Sequence, residues 1–173
     1  MPVTKWNYQN TNSKEIPEII AKAFYIAKSG RPGPVLIDIT KDAQFSKTSF
    51  RYKKCEKIRS YHPYPVLKSK EINDAAKIIN QAKKPLILVG QGVLLSKAEN
   101  ELIKFSEITG IPLASTLLGL SAVSCDHKNY VGYLGMHGNY GPNVKTNEAD
   151  LIIAIGMRFD DRVTGDTSKY AVN

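Results

Sequence analysis

Three short apolar runs constrain this chain more than any other feature: PLILVG at 85–90, PLASTL at 112–117 and LIIAIG at 151–156. Apolar residues fall at odd and even positions alike, so such a strand must be covered on both faces, as inside a parallel sheet. Between the runs, apolar residues recur with helical spacing. Ile72, Ala75, Ala76 and Ile79 define a helix starting near Ser69. Leu102, Phe105 and Ile108 line another, opened by a capping box of Ser96 and Glu99 and closed by Gly110. Residues 118–143 read as glycine-rich loop with one helical turn, and 143–148 as a short helix. Strands alternating with helices predict an α/β fold with a parallel, Rossmann-like sheet.

A helix–strand piece comes first. Ser13 stands as a capping residue before Ile16, Ile19, Ile20, Ala23, Phe24 and Ala27. Pro17 falls in the first turn, where its missing N–H costs little, and Gly30 closes the helix. The run PVLIDI at 34–39 is expected to be a strand buried on both sides. Periodicity then stops, and charges, serines, aromatics, Pro63 and Pro65 take over. The expected division is 1–44 as the end of one α/β domain, 45–64 as linker and 65–173 as a partial second domain. Three strands after the linker leave an open edge and a small core, so more of that sheet is expected in the natural protein.

Composition excludes several classes. At 42% hydrophobic and 23% charged residues the chain cannot be wholly disordered. No apolar run approaches the ~20 residues of a membrane span, and the start MPVTKWN lacks the apolar core of a secretory signal. Cytoplasm is the expected compartment, with an organelle left open. Cys55 and Cys125 sit in unrelated contexts, which fits reduced thiols, and the three histidines lack metal-ligand spacing. The net charge of +8 is scattered. Its one cluster, Arg51 to Arg59, carries no nucleic-acid-binding spacing and reads as a solvated linker, so no nucleic-acid partner is expected.

Ligands of parallel α/β sheets bind beyond the carboxyl ends of the strands. Gly90-Gln91-Gly92, Thr116-Leu117 and Gly156-Met157-Arg158 fall at such ends. The first is half a dinucleotide fingerprint, since Leu95 stands where the third glycine belongs. Its functional use would be N–H groups facing a phosphate at close approach, against the plain alternative of turn glycines. Four glycines lie within residues 132–141, around Met136 and His137. The pattern alone favours a structural histidine over a ligand contact. In Arg158-Phe159-Asp160-Asp161-Arg162 two arginines could clamp a pyrophosphate or pair internally with the aspartates. No Ser/His/Asp, Cys/His or paired-carboxylate set appears, and there is no P-loop.

Together these pieces resemble one family. Gly30 to Asp38, with Lys41-Asp42, is similar to the end of the N-terminal, pyrimidine-binding thiamine-diphosphate domain of acetolactate synthases. Leu134-Gly135-Met136-His137-Gly138 and residues 156–165 resemble that family's FAD-binding middle domain, in matching order and separation. The resemblance implies a transferase that condenses two pyruvates, or pyruvate and 2-ketobutyrate, with loss of CO2 in branched-chain amino-acid synthesis. It implies thiamine diphosphate, Mg2+ and FAD as cofactors, 2-keto acids as substrates, a homo-oligomer and a regulatory small subunit. It points to Arg31, Gly90, Gln91, Gly92, Thr116, Leu117, Leu134, Gly135, Met136, His137, Gly138, Gly156, Arg158, Arg162 and Val163 as flavin contacts. It places Lys41, Met136, Asp161 and Arg162 at the substrate and inhibitor channel. Thr40 departs from the family's usual proline, and 122–126 lacks one often found there, which puts local loop geometry in doubt. The family's catalytic glutamate would lie upstream of Met1 and its Gly-Asp-Gly motif downstream of Asn173, so no catalytic or metal residue is expected in this segment. Glyoxylate carboligase and pyruvate oxidase share the fold. A non-catalytic nucleotide-binding module is the alternative from another class.

Overall fold

The computed structural model describes residues 3–172. The chain divides into two compact units, with the boundary along the sequence between Val66 and Leu67.

In the first unit, strand β1 (Trp6–Asn10) pairs in parallel with β2 (Val35–Ile39), and helix α1 (Ile16–Lys28) connects them. β1 has no counterpart in the apolar pattern, because its aromatics alternate with Asn and Gln. Trp6 and Tyr8 stack on one face at 5.5 Å between ring centroids. β2 departs from the expectation of burial on both sides. Leu36 is half-exposed and Asp38 is exposed, because a single helix covers a two-stranded sheet. Asn12, not Ser13, supplies the cap: its side chain accepts from the Lys14 amide and opens a short 3-10 turn ahead of α1. Gly30 lies just past the end of α1 in the left-handed region. A short helix α2 (Lys41–Phe45) follows β2. Residues 58–63, expected as linker, return to the end of α1. The Ser29 hydroxyl donates to the Tyr61 oxygen (3.2 Å), and the Tyr25 and Tyr61 rings meet edge to face.

The second unit holds α3 (Ser69–Gln81), β3 (Pro85–Val89), α4 (Gln91–Ser96), α5 (Glu99–Thr109), β4 (Leu113–Ser115), β5 (Tyr130–Tyr133), α6 (Tyr140–Glu148), β6 (Leu151–Ile155) and α7 (Asp161–Thr164). Its sheet has four strands in the order β5-β4-β3-β6, every neighbouring pair parallel. That is one strand more than the apolar runs predict. β5 hides in the glycine-rich stretch because Gly132 breaks its pattern, and its ladder to β4 shifts register between Leu113 and Ala114. β3 is central and buried on both faces. Ile87 and Val89 join Val93 and Leu102 on one side, while Leu86 and Leu88 join Leu134 and Ala149 on the other. β6 is an edge strand, so its run is only half-buried.

Two helix expectations need correction. Ser96 and Glu99 form no capping box. The Ser96 hydroxyl bonds back to the Gly92 carbonyl (2.7 Å), ending α4, and Lys97 turns left-handed before α5 begins. The helix α4 has no counterpart in the apolar spacing, and Ser96 ends it where the pattern expects a helix to begin. Ile108 is exposed, so α5 buries a narrower face than its periodicity implies, while α3 buries none of its residues: Ile72, Ala75 and Ala76 are exposed and Ile79 is half-buried. Gly110 does end α5, at φ +69°.

Asp150 ties the entrance of the sheet together. Its carboxylate accepts from the amides of Lys83 and Lys84 at 2.7 and 2.8 Å, joining the approaches to β3 and β6. These backbone donors hold the carboxyl below its ordinary value. A depressed carboxyl pKa contributes stability above the unfolded value of about 4, and this is lost as pH falls through the lower folded value. Asp150→Asn is therefore expected to lower the unfolding midpoint on the neutral plateau and so to flatten the acid limb, variant and parent converging at low pH. An unchanged acid limb would remove Asp150 from the account.

Candidate functional site at the carboxyl edge of the second sheet

All four strands of the second sheet run the same way, so their carboxyl ends share one edge. Gly90-Gln91-Gly92 leaves β3, Thr116-Leu117 leaves β4, the loop from Leu134 to Gly138 leaves β5, and Gly156-Met157-Arg158 leaves β6. In chain order the sheet reads third, second, first, fourth. Its connections diverge between β3 and β6, the switch point where open α/β sheets bind ligands.

At that switch point the two glycine turns are packed against each other. The Gly90 amide donates to the Ile155 carbonyl (2.9 Å) and the Gly92 amide to the Gly156 carbonyl (2.8 Å). A Cβ on Gly92 would fall 2.6 Å from the Gly156 Cα. Gly156 has φ +64°, and a Cβ there would fall 2.6 Å from the Val93 amide nitrogen. The structure thus corrects one expectation. The Gly90 and Gly92 N–H groups are spent between turns and do not face a phosphate. The half-fingerprint is a packing motif. The amides of Thr116 and Leu134 are likewise engaged, with the carbonyls of Val89 and Ser115.

The loop after β5 meets the segment after β6 directly. The Met136 amide donates to the Arg162 carbonyl at 2.8 Å. Gly135 makes this approach possible: at φ +110° it is buried, and a Cβ would stand 2.9 Å from that same carbonyl oxygen. Met136 is two-thirds exposed and His137 is exposed, so both side chains project from an anchored loop. Asp160 caps α7 by accepting from the Val163 amide (3.2 Å). No Asp or Glu among the described residues pairs with Arg158 or Arg162. Both arginines are exposed, so the internal-pairing alternative falls away.

Gly135, Met136, Asn143, Arg162, Val163 and Tyr170 line a cleft of about 280 Å³. His137 and Arg158 stand outside it. The volume lies near the low end of small-molecule sites, roughly 300–1,000 Å³, so it would hold only part of a dinucleotide. The Tyr170 hydroxyl is buried with no hydrogen-bond partner, and burial raises its pKa. Asn143 and Tyr170 were not legible as site residues, because nothing in their spacing marks them. Of the expected residues in the first unit, Arg31 occupies the exposed turn before β2 and Lys41 opens α2 after it. Among the described residues no group of three or more His, Cys, Asp or Glu could hold a metal, and no helix is long and apolar enough to cross a membrane. Cys55 and Cys125 are unpaired.

This edge is the switch point of an open parallel α/β sheet, the place where such sheets bind ligands. Residues 72–173 match the family model "Thiamine pyrophosphate enzyme, central domain", and the chain belongs to that family. Over nearly its whole length it is similar to acetolactate synthase large subunits. It is 44% identical over 171 residues to that of Corynebacterium glutamicum, covering 99% of this chain and 27% of the relative. It is 40% identical over 174 residues to that of Haemophilus influenzae, covering 99% and 30%. With that of Porphyra purpurea it shares 41% over 177 residues, covering 100% and 30%. The chain therefore spans less than a third of the curated relatives it matches. An X-ray structure from Mycobacterium smegmatis, of a protein assigned to the thiamin diphosphate-dependent enzymes, superposes with a TM-score of 0.70 at 24% identity. It covers 91% of this chain and 30% of that one, and supports the fold.

Proposed function

We propose that this chain is a segment of an acetolactate synthase large subunit, contributing the end of the pyrimidine-binding domain and the flavin-binding part of the middle domain. The observation that carries the flavin assignment is the pair of uncommitted guanidinium groups, Arg158 and Arg162, where the segment after β6 joins the loop of Met136 and His137. The donor chemistry fits FAD. The strand-end amides named above are spent, so the arginines supply the charged hydrogen bonds that a diphosphate needs. Met136 offers a soft apolar surface for a ring, and the orphaned Tyr170 hydroxyl is a polar group awaiting a partner. Gly90, Gly92 and Gly156 act by letting the turns close, with Gln91, Thr116, Leu117, Leu134, Gly138 and Val163 along the same edge. Arg31 is assigned to the flavin as well, and Lys41, Met136, Asp161 and Arg162 to the substrate channel.

In the whole enzyme, thiamine diphosphate, held with Mg2+ by parts outside this segment, supplies the carbanion chemistry that joins two 2-keto acids. This chain's residues bind and orient the flavin and shape the approach to the reacting centre. A homo-oligomer with a regulatory small subunit, working in the cytoplasm, completes the reading.

Two measurements test it. The chain alone, given pyruvate, thiamine diphosphate, Mg2+ and FAD, is expected to show no carboligation above blank. Grafted in place of the matching segment of the Corynebacterium glutamicum large subunit, it is expected to restore flavin binding and acetolactate formation from pyruvate. A folded graft that prefers glyoxylate, or that purifies without flavin, would count against the proposal.

A further inference from the structure

We infer that Asn143 is a positioning residue of this site. It acts through the Gly135 peptide to fix where Met136 and His137 point and how their loop meets Arg162. The inference rests on the flavin reading for its ligand, but not for its geometry.

Asn143 lies in the first turn of α6, and its amide turns back onto the loop that precedes the helix. Its Oδ1 accepts from the Gly135 amide at 3.0 Å. Its Nδ2 donates to the Gly135 carbonyl and to the Asn139 carbonyl, both at 3.1 Å. One side-chain amide thus saturates both sides of a single residue's backbone. Only a group carrying an acceptor and two donors can do this. Aspartate keeps the acceptor alone, and leucine of similar shape keeps neither. The target is a glycine at φ +110°, a residue type with more backbone conformations to lose than any other. The Gly135 carbonyl also receives the Gly138 amide (2.9 Å), and Asn139 closes the loop base against Tyr133 (2.7 Å). The clamp therefore holds the crown of a loop whose base is already fixed. From that crown the next residue reaches Arg162 through the Met136 amide. Losing Asn143 frees the two projecting side chains and the contact between the two halves of the site, while the cores around β3 contain no part of the clamp. Binding energy lost to such a loosened site is the cost that preorganisation removes.

The test is amide hydrogen exchange together with FAD titration on the full chain and on Asn143→Ala and Asn143→Asp. In the alanine variant, exchange at Gly135 and Met136 is expected to rise at least about tenfold, with amides of β3 and β4 unchanged. FAD affinity is expected to fall about tenfold, the worth of one to two net hydrogen bonds. Asn143→Asp should keep protection at the Gly135 amide while weakening FAD, because it retains the acceptor and loses both donors. If alanine loosens the whole unit, so that β3 amides also exchange, the aspartate variant decides by faster exchange at Met136 and weaker FAD binding, its Gly135 amide staying protected. Unchanged exchange at Gly135 and Met136 overturns the inference. So does faster exchange at these positions with FAD affinity unaltered. Faster exchange with no FAD bound even by the parent chain supports the clamp and instead counts against the flavin reading.

Discussion

Replacing Gly156 by alanine is expected to destabilise the second unit by roughly 2–5 kcal/mol, a large part of a domain's whole stability. Two costs combine. An L-residue at φ +64° pays about 1–2 kcal/mol for the left-handed conformation. The added Cβ must also displace the Val93 amide and the Gly92 backbone, and backbone cannot rotate away as a side-chain tip can, so overpacking adds about 1–3 kcal/mol. Two controls separate the costs. Gly110 has φ +69° with nothing within 4 Å, so Gly110→Ala should cost only the conformational part, about 1–2 kcal/mol. Gly141 sits inside α6 with open space around it, so Gly141→Ala should be neutral or gain up to about 1 kcal/mol. Denaturant midpoints of the three variants give the ranking. Equal losses at 156 and 110 would mean that the turns at the switch point are not locked against each other.

The second large effect concerns the arginines. Arg158→Ala/Arg162→Ala is expected to weaken FAD binding by roughly 10²-fold or more. Hydrogen bonds to charged groups contribute about 1.5–3 kcal/mol each, and two of them lost correspond to about 10²–10⁴-fold. Both guanidinium groups are exposed, so solvent screening places the outcome at the lower end. Neither is in an ion pair among the described residues, so removing them leaves no buried aspartate stranded and the melting temperature should hardly move. Titration of flavin fluorescence at low and moderate salt reads the effect. If the double variant binds FAD as the parent does at both salt concentrations, the assignment of the diphosphate to this pair is wrong.

Much of the architecture was legible from local pattern. β2, β3, β4 and β6 fall on the apolar runs to within a residue or two, and α3 starts at Ser69 as its spacing requires. β1 and β5 were not legible, because apart from Val131 their residues are polar, aromatic or glycine and become strands only by pairing with a neighbour. The capping box at Ser96 and Glu99 failed because the sequence pattern is the same whether one helix begins there or one ends and another starts. Tertiary placement chose the second, through the Ser96 hydroxyl and the left-handed Lys97.

The sequence by itself determined which stretches must be buried and where each buried strand stops, and hence that glycines, Met136, His137 and the arginines stand at strand ends. Those are properties of neighbours along the chain, set by side-chain hydrophobicity and backbone freedom. Only the tertiary structure decided which strand ends adjoin. It spent the Gly90 and Gly92 amides on the opposite turn, left the two guanidinium groups unpaired, and joined Met136 to the Arg162 carbonyl and Asn143 to Gly135. Contacts such as Gly92 to Gly156 link residues far apart in sequence. Their partners are fixed by strand order, and strand order depends on how the whole sheet buries its two faces.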